Sequence, residues 1–150
     1  MADNVPDWLK PHVLQEKETF IEGVNRKYLV ISRNLEPRLP MFAGYNEGLP
    51  FVSEDVPNEY RLAWIAHEII EFEQFRNPDE TWQPDHCRRA LVKEMDYVIS
   101  THLPKYLPLR LKFFKGLVEY LVQNKEPAEF IEEIKKSRDG LEVLVGKLEK

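Results

Sequence analysis

The chain has 150 residues, 43% of them hydrophobic, which suffices for one domain whose core needs no disulfide or metal ion to fold. Its formal net charge of −5 argues against general nucleic-acid binding, because that activity depends on lysine and arginine neutralising phosphates. The lone cysteine, Cys87, excludes an intramolecular disulfide. With no signal-peptide pattern and no long apolar run, we expect a single cytoplasmic domain over residues 1–150 that does not enter a membrane.

The first third of the chain fits two patterns. Six apolar residues fall on one helical stripe, although residues 28–31 are also a β-favouring run. The stripe consists of Val13, Phe20, Val24, Tyr28, Ile31 and Leu35. We predict a helix from about residue 14, with residues 28–32 either helical or extended.

Residues 35–57 contain proline and glycine too often for a helix. Residues 41–45 and 49–52 predict two short strands around a turn at residues 46–48. Because proline lacks the N–H that a central strand requires, Pro50 should confine the second strand to a sheet edge.

The next helix should run from near Pro57 to just before Pro78. Apolar side chains cover most of its circumference, so we expect it to be largely buried. The remaining narrow stripe consists of Tyr60, Trp64, His67, Glu71 and Gln74. A carboxylate in these surroundings needs a hydrogen-bond partner, a cation or a proton.

Three further helices follow. One should begin at residue 84 or 85 and end near 101, with Glu94 at the margin of its inward face. A break at Pro104 and Pro108 should precede a helix over residues 109–123, and a clear amphipathic helix is predicted over about 128–148.

Together the patterns predict a mainly α fold, a compact bundle of four or five helices with a small irregular or two-stranded β element at about residues 40–57. The last helix should pack on this domain, the alternative being a second subunit.

The run from Ala66 to Glu71 carries the main chemical signal. His67 and Glu71 are four residues apart and share a helix face, whereas Glu68 points about 100° away. Residues 47–80 contain nine acidic residues against two arginines, which favours a cation nearby. In the alternative interpretation, His67 and Glu71 bond each other, or a backbone carbonyl and Arg61, inside a helical core.

This motif resembles the core of the gluzincin-like metallopeptidases, a zincin group with a short edge strand, a helix carrying His-Glu-x-x-His and a later helix supplying a glutamate. Residues 49–53 match the strand, and Glu71 stands where the family has its second histidine. The resemblance implies that His67 and Glu94 bind zinc and that Glu68 is the general base. A ligand set of His67, Glu71 and Glu94 suits zinc, manganese or iron.

Two functions follow from these patterns. We favour a helical protein of interaction, adaptor or immunity type with a degenerate metalloprotease-like core, because the second histidine of the motif is missing. Such a protein would contact a protein partner, or a second copy of itself, through the C-terminal helix. The alternative is a metal-dependent hydrolase with His67, Glu71 and Glu94 as ligands and Glu68 as base. Cys87 is expected to be a packing residue, and His102 is the best spare fourth ligand.

Overall fold

The structure, a computed structural model, describes residues 5–39, 41–74 and 85–148. Its described part contains a four-stranded mixed sheet with α-helices packed against one face. The strands are β1 (Val13–Ile21), β2 (Val24–Ile31), β3 (Ala43–Asn46) and β4 (Leu49–Ser53), in the spatial order β1-β2-β4-β3. β2 and β4 are parallel, and the other neighbours are antiparallel. The predicted bundle with at most a two-stranded element is therefore wrong, because the sheet has twice that number of strands.

The helix predicted from residue 14 is replaced by the hairpin of β1 and β2. Glu22 and Gly23 have φ angles of 51° and 79°, and two consecutive positive φ angles form the tight turn that matches the twist of a β-hairpin. Residues 28–31 are therefore extended. The helical stripe was misleading because two of its members, Phe20 and Val24, are exposed at the hairpin rather than buried.

The second hairpin, β3 and β4, confirms the turn predicted at residues 46–48. Glu47 and Gly48 have φ angles of 45° and 87°, the same turn geometry as in the first hairpin. The edge position predicted from Pro50 is wrong, because β4 lies between β2 and β3. The sheet accommodates the proline because pairing with β2 begins only at Phe51, so no N–H is needed at residue 50 on that side.

The helices are α1 (Arg61–Ile69), α2 (Asp85–Glu94), α3 (Leu103–Gln123) and α4 (Ala128–Leu148). A π-helical turn, Ile70–Gln74, continues α1. The predicted end of this helix before Pro78, and a start of the next helix at residue 84, lie outside the described residues. α2 ends earlier than predicted, and α3 begins earlier, since Pro104 occupies its first turn. The bounds predicted for α4 are confirmed.

Two hydrophobic clusters cover the faces of the sheet. The larger joins Val30 and Val52 to all four helices, and the smaller packs Leu29 and Ile31 against the N-terminal segment and the loop before β3. The alternation along β2 follows from the two-residue period of a strand.

α4 packs on α3 and α2 within the same chain, which confirms the predicted intramolecular packing of this helix. Across the described residues, no helix combines the length and the apolarity needed to span a bilayer.

Candidate metal centre

The imidazole of His67 is the centre of a buried polar cluster between α1, α2 and α3. Its Nε2 lies 2.9 Å from Oε1 of Glu71, and its Nδ1 lies 2.6 Å from Oε1 of Glu94. All three side chains are buried. Glu71 lies in the π-helical turn after α1, a type of irregularity that is frequent at functional sites. The hydrogen bond expected between His67 and Glu71 is therefore present, while Arg61 donates to backbone carbonyls elsewhere.

Cys87 approaches the same ring nitrogen from α2. Its Sγ lies 3.5 Å from Nε2 of His67. One nitrogen, one carboxylate oxygen and one sulfur, from His67, Glu71 and Cys87, lie within 4.8 Å of one another. Within the described residues these three donors form a group that can hold a metal ion, and the group comes from two helices that pack together.

Glu94 lies on the opposite side of the imidazole and is held by three partners. Arg110 donates from Nε to Oε2 at 3.1 Å and from Nη2 to Oε1 at 2.9 Å, and the hydroxyl of Tyr106 also donates to Oε2. The guanidinium of Arg110 stacks over the ring of Trp64, 3.9 Å from its centroid. Burial raises the pKa of Glu94, but Arg110 and His67 lower this pKa by a larger amount, so the net shift is downward. Glu94 is therefore an ionised carboxylate that orients His67.

This contact to Nδ1 determines how His67 presents its other nitrogen. Histidines that bind metals usually donate one ring N–H to a carboxylate, which fixes the tautomer and directs the second nitrogen at the ion. Burial lowers the pKa of His67, whereas Cys87, Glu71 and Glu94 raise it, and the balance is well above the ordinary value. A metal ion bound at Nε2 would have to displace a proton held there, so its affinity should rise with pH.

Glu68 and Cys87 also have perturbed pKa values. Burial and the neighbouring carboxylate of Glu71 raise the pKa of Glu68 to about 8, despite opposing effects of His67 and Arg110. Burial and Glu71 likewise raise the pKa of the Cys87 thiol to about 11. A carboxyl group with a pKa near neutrality is suited to accept and return protons at physiological pH.

A cleft of about 220 Å³ borders the cluster, between β3, α1, α3 and α4. His67, Glu68, Glu71 and Cys87 all line it. The rest of its lining is mostly apolar and rich in aromatic rings, to which Trp64, Phe113 and Phe114 contribute. The donors that could hold an ion therefore adjoin a space that a small molecule or a side chain can occupy.

The structure brings the predicted site residues together, with one change of position. His67 and Glu71 lie side by side and Glu68 lines the adjoining cleft, as a metal site would require. Glu94 contacts His67, but on the nitrogen opposite to Glu71, and both of its oxygens are bound by Arg110 and Tyr106. In this geometry Glu94 orients His67, and Cys87 rather than Glu94 completes the group of donors that could hold an ion.

Sequence reasoning missed three members of the cluster, Cys87, Tyr106 and Arg110. Cys87 precedes Glu94 by seven residues, which puts both on the same inward helix face. Arg110 falls on the inward stripe of α3, three residues after Leu107 and four before Phe114, and a charge at such a position was a signal for a buried partner. His102, the expected spare ligand, instead packs edge-on against the ring of Tyr60, with centroids 6.4 Å apart.

Comparisons of the chain with models of protein families, with curated proteins and with solved structures found no match. The functional conclusion therefore depends on the residues and geometry described above.

Proposed function

We propose that this protein is a metal-dependent hydrolase that binds one zinc ion through His67, Glu71 and Cys87 and uses Glu68 as its general base. The observation that carries the proposal is the convergence of the three donor atoms within 4.8 Å. Catalytic zinc sites characteristically have three protein ligands and leave a fourth position for water. A thiolate among the ligands favours zinc over magnesium or calcium, which prefer oxygen.

Two of the three distances between the donor atoms are close to those of a tetrahedral zinc site. In a tetrahedral site with Zn–N of ~2.0 Å and Zn–S of ~2.3 Å, the nitrogen and sulfur are about 3.5 Å apart. The corresponding atoms of His67 and Cys87 are 3.5 Å apart. The nitrogen-to-oxygen separation expected for His67 and Glu71 is about 3.3 Å, against 2.9 Å observed, so a small outward movement of Glu71 accommodates the ion.

Charge balance also supports the site. The anions Glu71 and thiolate Cys87 together neutralise a divalent cation. Glu94 does not add to this count, because Arg110 pairs with it through two hydrogen bonds. Buried charges are tolerated when they are paired or coordinate a metal, and the set composed of ion, two anionic ligands, Glu94 and Arg110 is neutral.

The proposed reaction is the addition of water across an amide or ester bond. Zinc lowers the pKa of bound water, and Glu68 removes a proton as the water oxygen attacks the carbonyl carbon. The bond from that carbon to nitrogen or oxygen then breaks, and Glu68 returns the proton to the leaving amine or alcohol. Glu68 is placed for this exchange because it lines the same cleft as the ligands.

The test is zinc binding followed by hydrolysis. Purified untagged protein, stripped with a chelator, is titrated with zinc in a calorimeter. We expect one site in the wild type and a loss of at least tenfold in affinity in Cys87→Ala and Glu71→Gln, because each removes one ligand. His102→Gln and Glu119→Gln are matched controls outside the cluster and should bind normally. Absence of a zinc site in the wild type would rule out the proposal.

The role of Glu68 needs a second measurement on the zinc-loaded protein. A panel of chromogenic amides and esters is assayed with the wild type and with Glu68→Gln. We expect the variant to bind zinc as the wild type does and to lose about a hundredfold or more in rate, the usual contribution of a general base. Equal rates in the two proteins would remove Glu68 from the mechanism.

A non-enzymatic interaction module is the second candidate, with a second copy of the chain as the partner. It is favoured by one observation: α4 leaves Val143, Leu144 and Leu148 exposed at 59%, 43% and 43%. Light scattering distinguishes the candidates. A dimer that becomes a folded monomer when Val143→Lys and Leu144→Lys are introduced together on the exposed side of α4 would support self-association through α4. A monomeric wild type would contradict it.

A further inference from the structure

The lining of the cleft beside the metal ligands indicates what kind of group it binds. Four elements contribute apolar side chains to it: the segment that leads into β3 contributes Phe42, α1 contributes Trp64, α3 contributes Phe113 and Leu117, and α4 contributes Ile134. Burial of apolar surface is the main favourable contribution that such a space can make to binding. The cleft is therefore suited to an apolar group.

The charges around the cleft disfavour an anionic substrate. Arg110 is a lining residue, but Glu94 accepts from its Nε and Nη2, and Trp64 covers its guanidinium. Glu68 and Glu71, which also line the cleft, are acidic. Among the described lining residues, no cation remains to bind a phosphate or carboxylate. A phosphate ester or an acidic side chain would enter without a counter-charge, at the cost of desolvation.

The volume of the cleft sets the size of the group. A cavity of roughly 150 Å³ lined by apolar side chains accepts a benzene molecule, and this cleft measures about 220 Å³. A benzyl or isobutyl group therefore fits, with the carbonyl carbon remaining near the metal ligands. A methyl group would leave most of the space unfilled and would gain less from burial.

We propose that the substrate of this hydrolase carries a bulky, uncharged apolar side chain next to the amide or ester carbonyl, and that the cleft lined by Leu117 binds this side chain. The inference rests on the proposed function, because it assumes zinc at His67, Glu71 and Cys87. Leu117 acts as a specificity-determining residue: it is half-buried on the side of the cleft formed by α3 and belongs to neither the ligand set nor the Glu94 network.

Acyl hydroxamates test the inference without requiring turnover, because the hydroxamate group binds zinc and the acyl chain probes the cleft. Four probes are titrated into zinc-loaded protein: acetohydroxamate, isocaproyl hydroxamate, hydrocinnamoyl hydroxamate and succinyl monohydroxamate. We expect the isocaproyl and hydrocinnamoyl probes to bind about ten- to a hundredfold more tightly than acetohydroxamate, given the gain from burying a side chain of leucine or phenylalanine size. The succinyl probe should bind no better than acetohydroxamate.

Two substitutions of Leu117 locate the preference in the cleft. Leu117→Trp fills the space and should abolish the advantage of the two large probes, while acetohydroxamate and zinc affinities stay unchanged. Leu117→Ala enlarges the space and should retain binding of the hydrocinnamoyl probe. Val122→Trp is the matched control, since Val122 is exposed on the same helix and does not line the cleft.

The outcomes separate the two proposals. Zinc binding with equal affinity for all four probes, or tightest binding of the succinyl probe, would overturn the inference and leave the metal site standing. A large-probe preference that persists in Leu117→Trp would also overturn it. Failure of the wild type to bind zinc would overturn the proposed function and the inference together. A preference lost in Leu117→Trp and kept in Val122→Trp would support both.

Discussion

Glu94→Gln is expected to be the most destabilising single change in the buried cluster. The carboxylate of Glu94 has no exposed surface, and Arg110 beside it is 3% exposed. Replacing the carboxylate with an amide leaves the guanidinium of Arg110 without a counter-charge, and breaking a buried ion pair in this way costs ~3–5 kcal/mol. The stacking of Arg110 on Trp64 survives the substitution and offsets part of the loss. We therefore expect a cost of about 3 kcal/mol.

Urea denaturation followed by tryptophan fluorescence measures this cost. A fall of about 3 kcal/mol is a large fraction of the ~5–15 kcal/mol that stabilises a typical domain, so the midpoint should shift clearly while the slope is retained. A double-mutant cycle with Arg110→Met supplies the control. Each single variant leaves one charge unpaired, whereas the double variant removes both. The double variant should therefore lose much less stability than the sum of the singles.

Two results would refute this reasoning. A cost below about 1 kcal/mol for Glu94→Gln would mean that the pair contributes no more than an exposed salt bridge. Additive effects of Glu94→Gln and Arg110→Met would mean that the two side chains do not interact energetically, contrary to their two hydrogen bonds.

Three further predictions concern stability. Ile69→Ala should cost ~2–5 kcal/mol in urea because it leaves a cavity in the core, whereas Glu68→Gln should be nearly neutral; comparable losses would mean that the inward face of α1 has been misassigned. Gly44→Ala should destabilise the protein by ~1–3 kcal/mol, since its Cβ would lie 2.3 Å from a phenylalanine ring atom of β4. Gly116→Ala, with no atom within 4 Å of the added Cβ, should stabilise α3 slightly. A Gly44→Ala variant that is more stable than Gly116→Ala would contradict the packing described. Glu36 has its pKa lowered to about 2, chiefly by hydrogen bonds from Arg38, so its contribution is full above pH 4.5 and is lost as the pH falls towards 2. Acid titration of stability should therefore be less steep in Glu36→Gln than in the wild type, and identical curves would contradict this.

The sequence determined the features that depend on neighbours along the chain. His67 and Glu71 meet because four residues are about one helical turn, and that relation did not require knowledge of the fold. The turn at residues 46–48 and the bounds of α4 were also predictable, since glycine at a positive φ and a regular apolar stripe are local signals.

Tertiary structure decided which distant groups complete the site. Cys87 on α2 reaches His67, and Arg110 on α3 reaches Glu94, only because the three helices pack in one core. The sequence indicates that these side chains face inward, but it does not indicate which residues they contact. The sequence also could not predict which nitrogen of the imidazole Glu94 contacts, because that depends on the rotation of one buried helix against another. The helix predicted from residue 14 was wrong, and the β1–β2 hairpin stands in its place, because the apolar residues of this segment fit both the helical and the strand period. Pairing of β2 with β4 in the sheet selected the extended form.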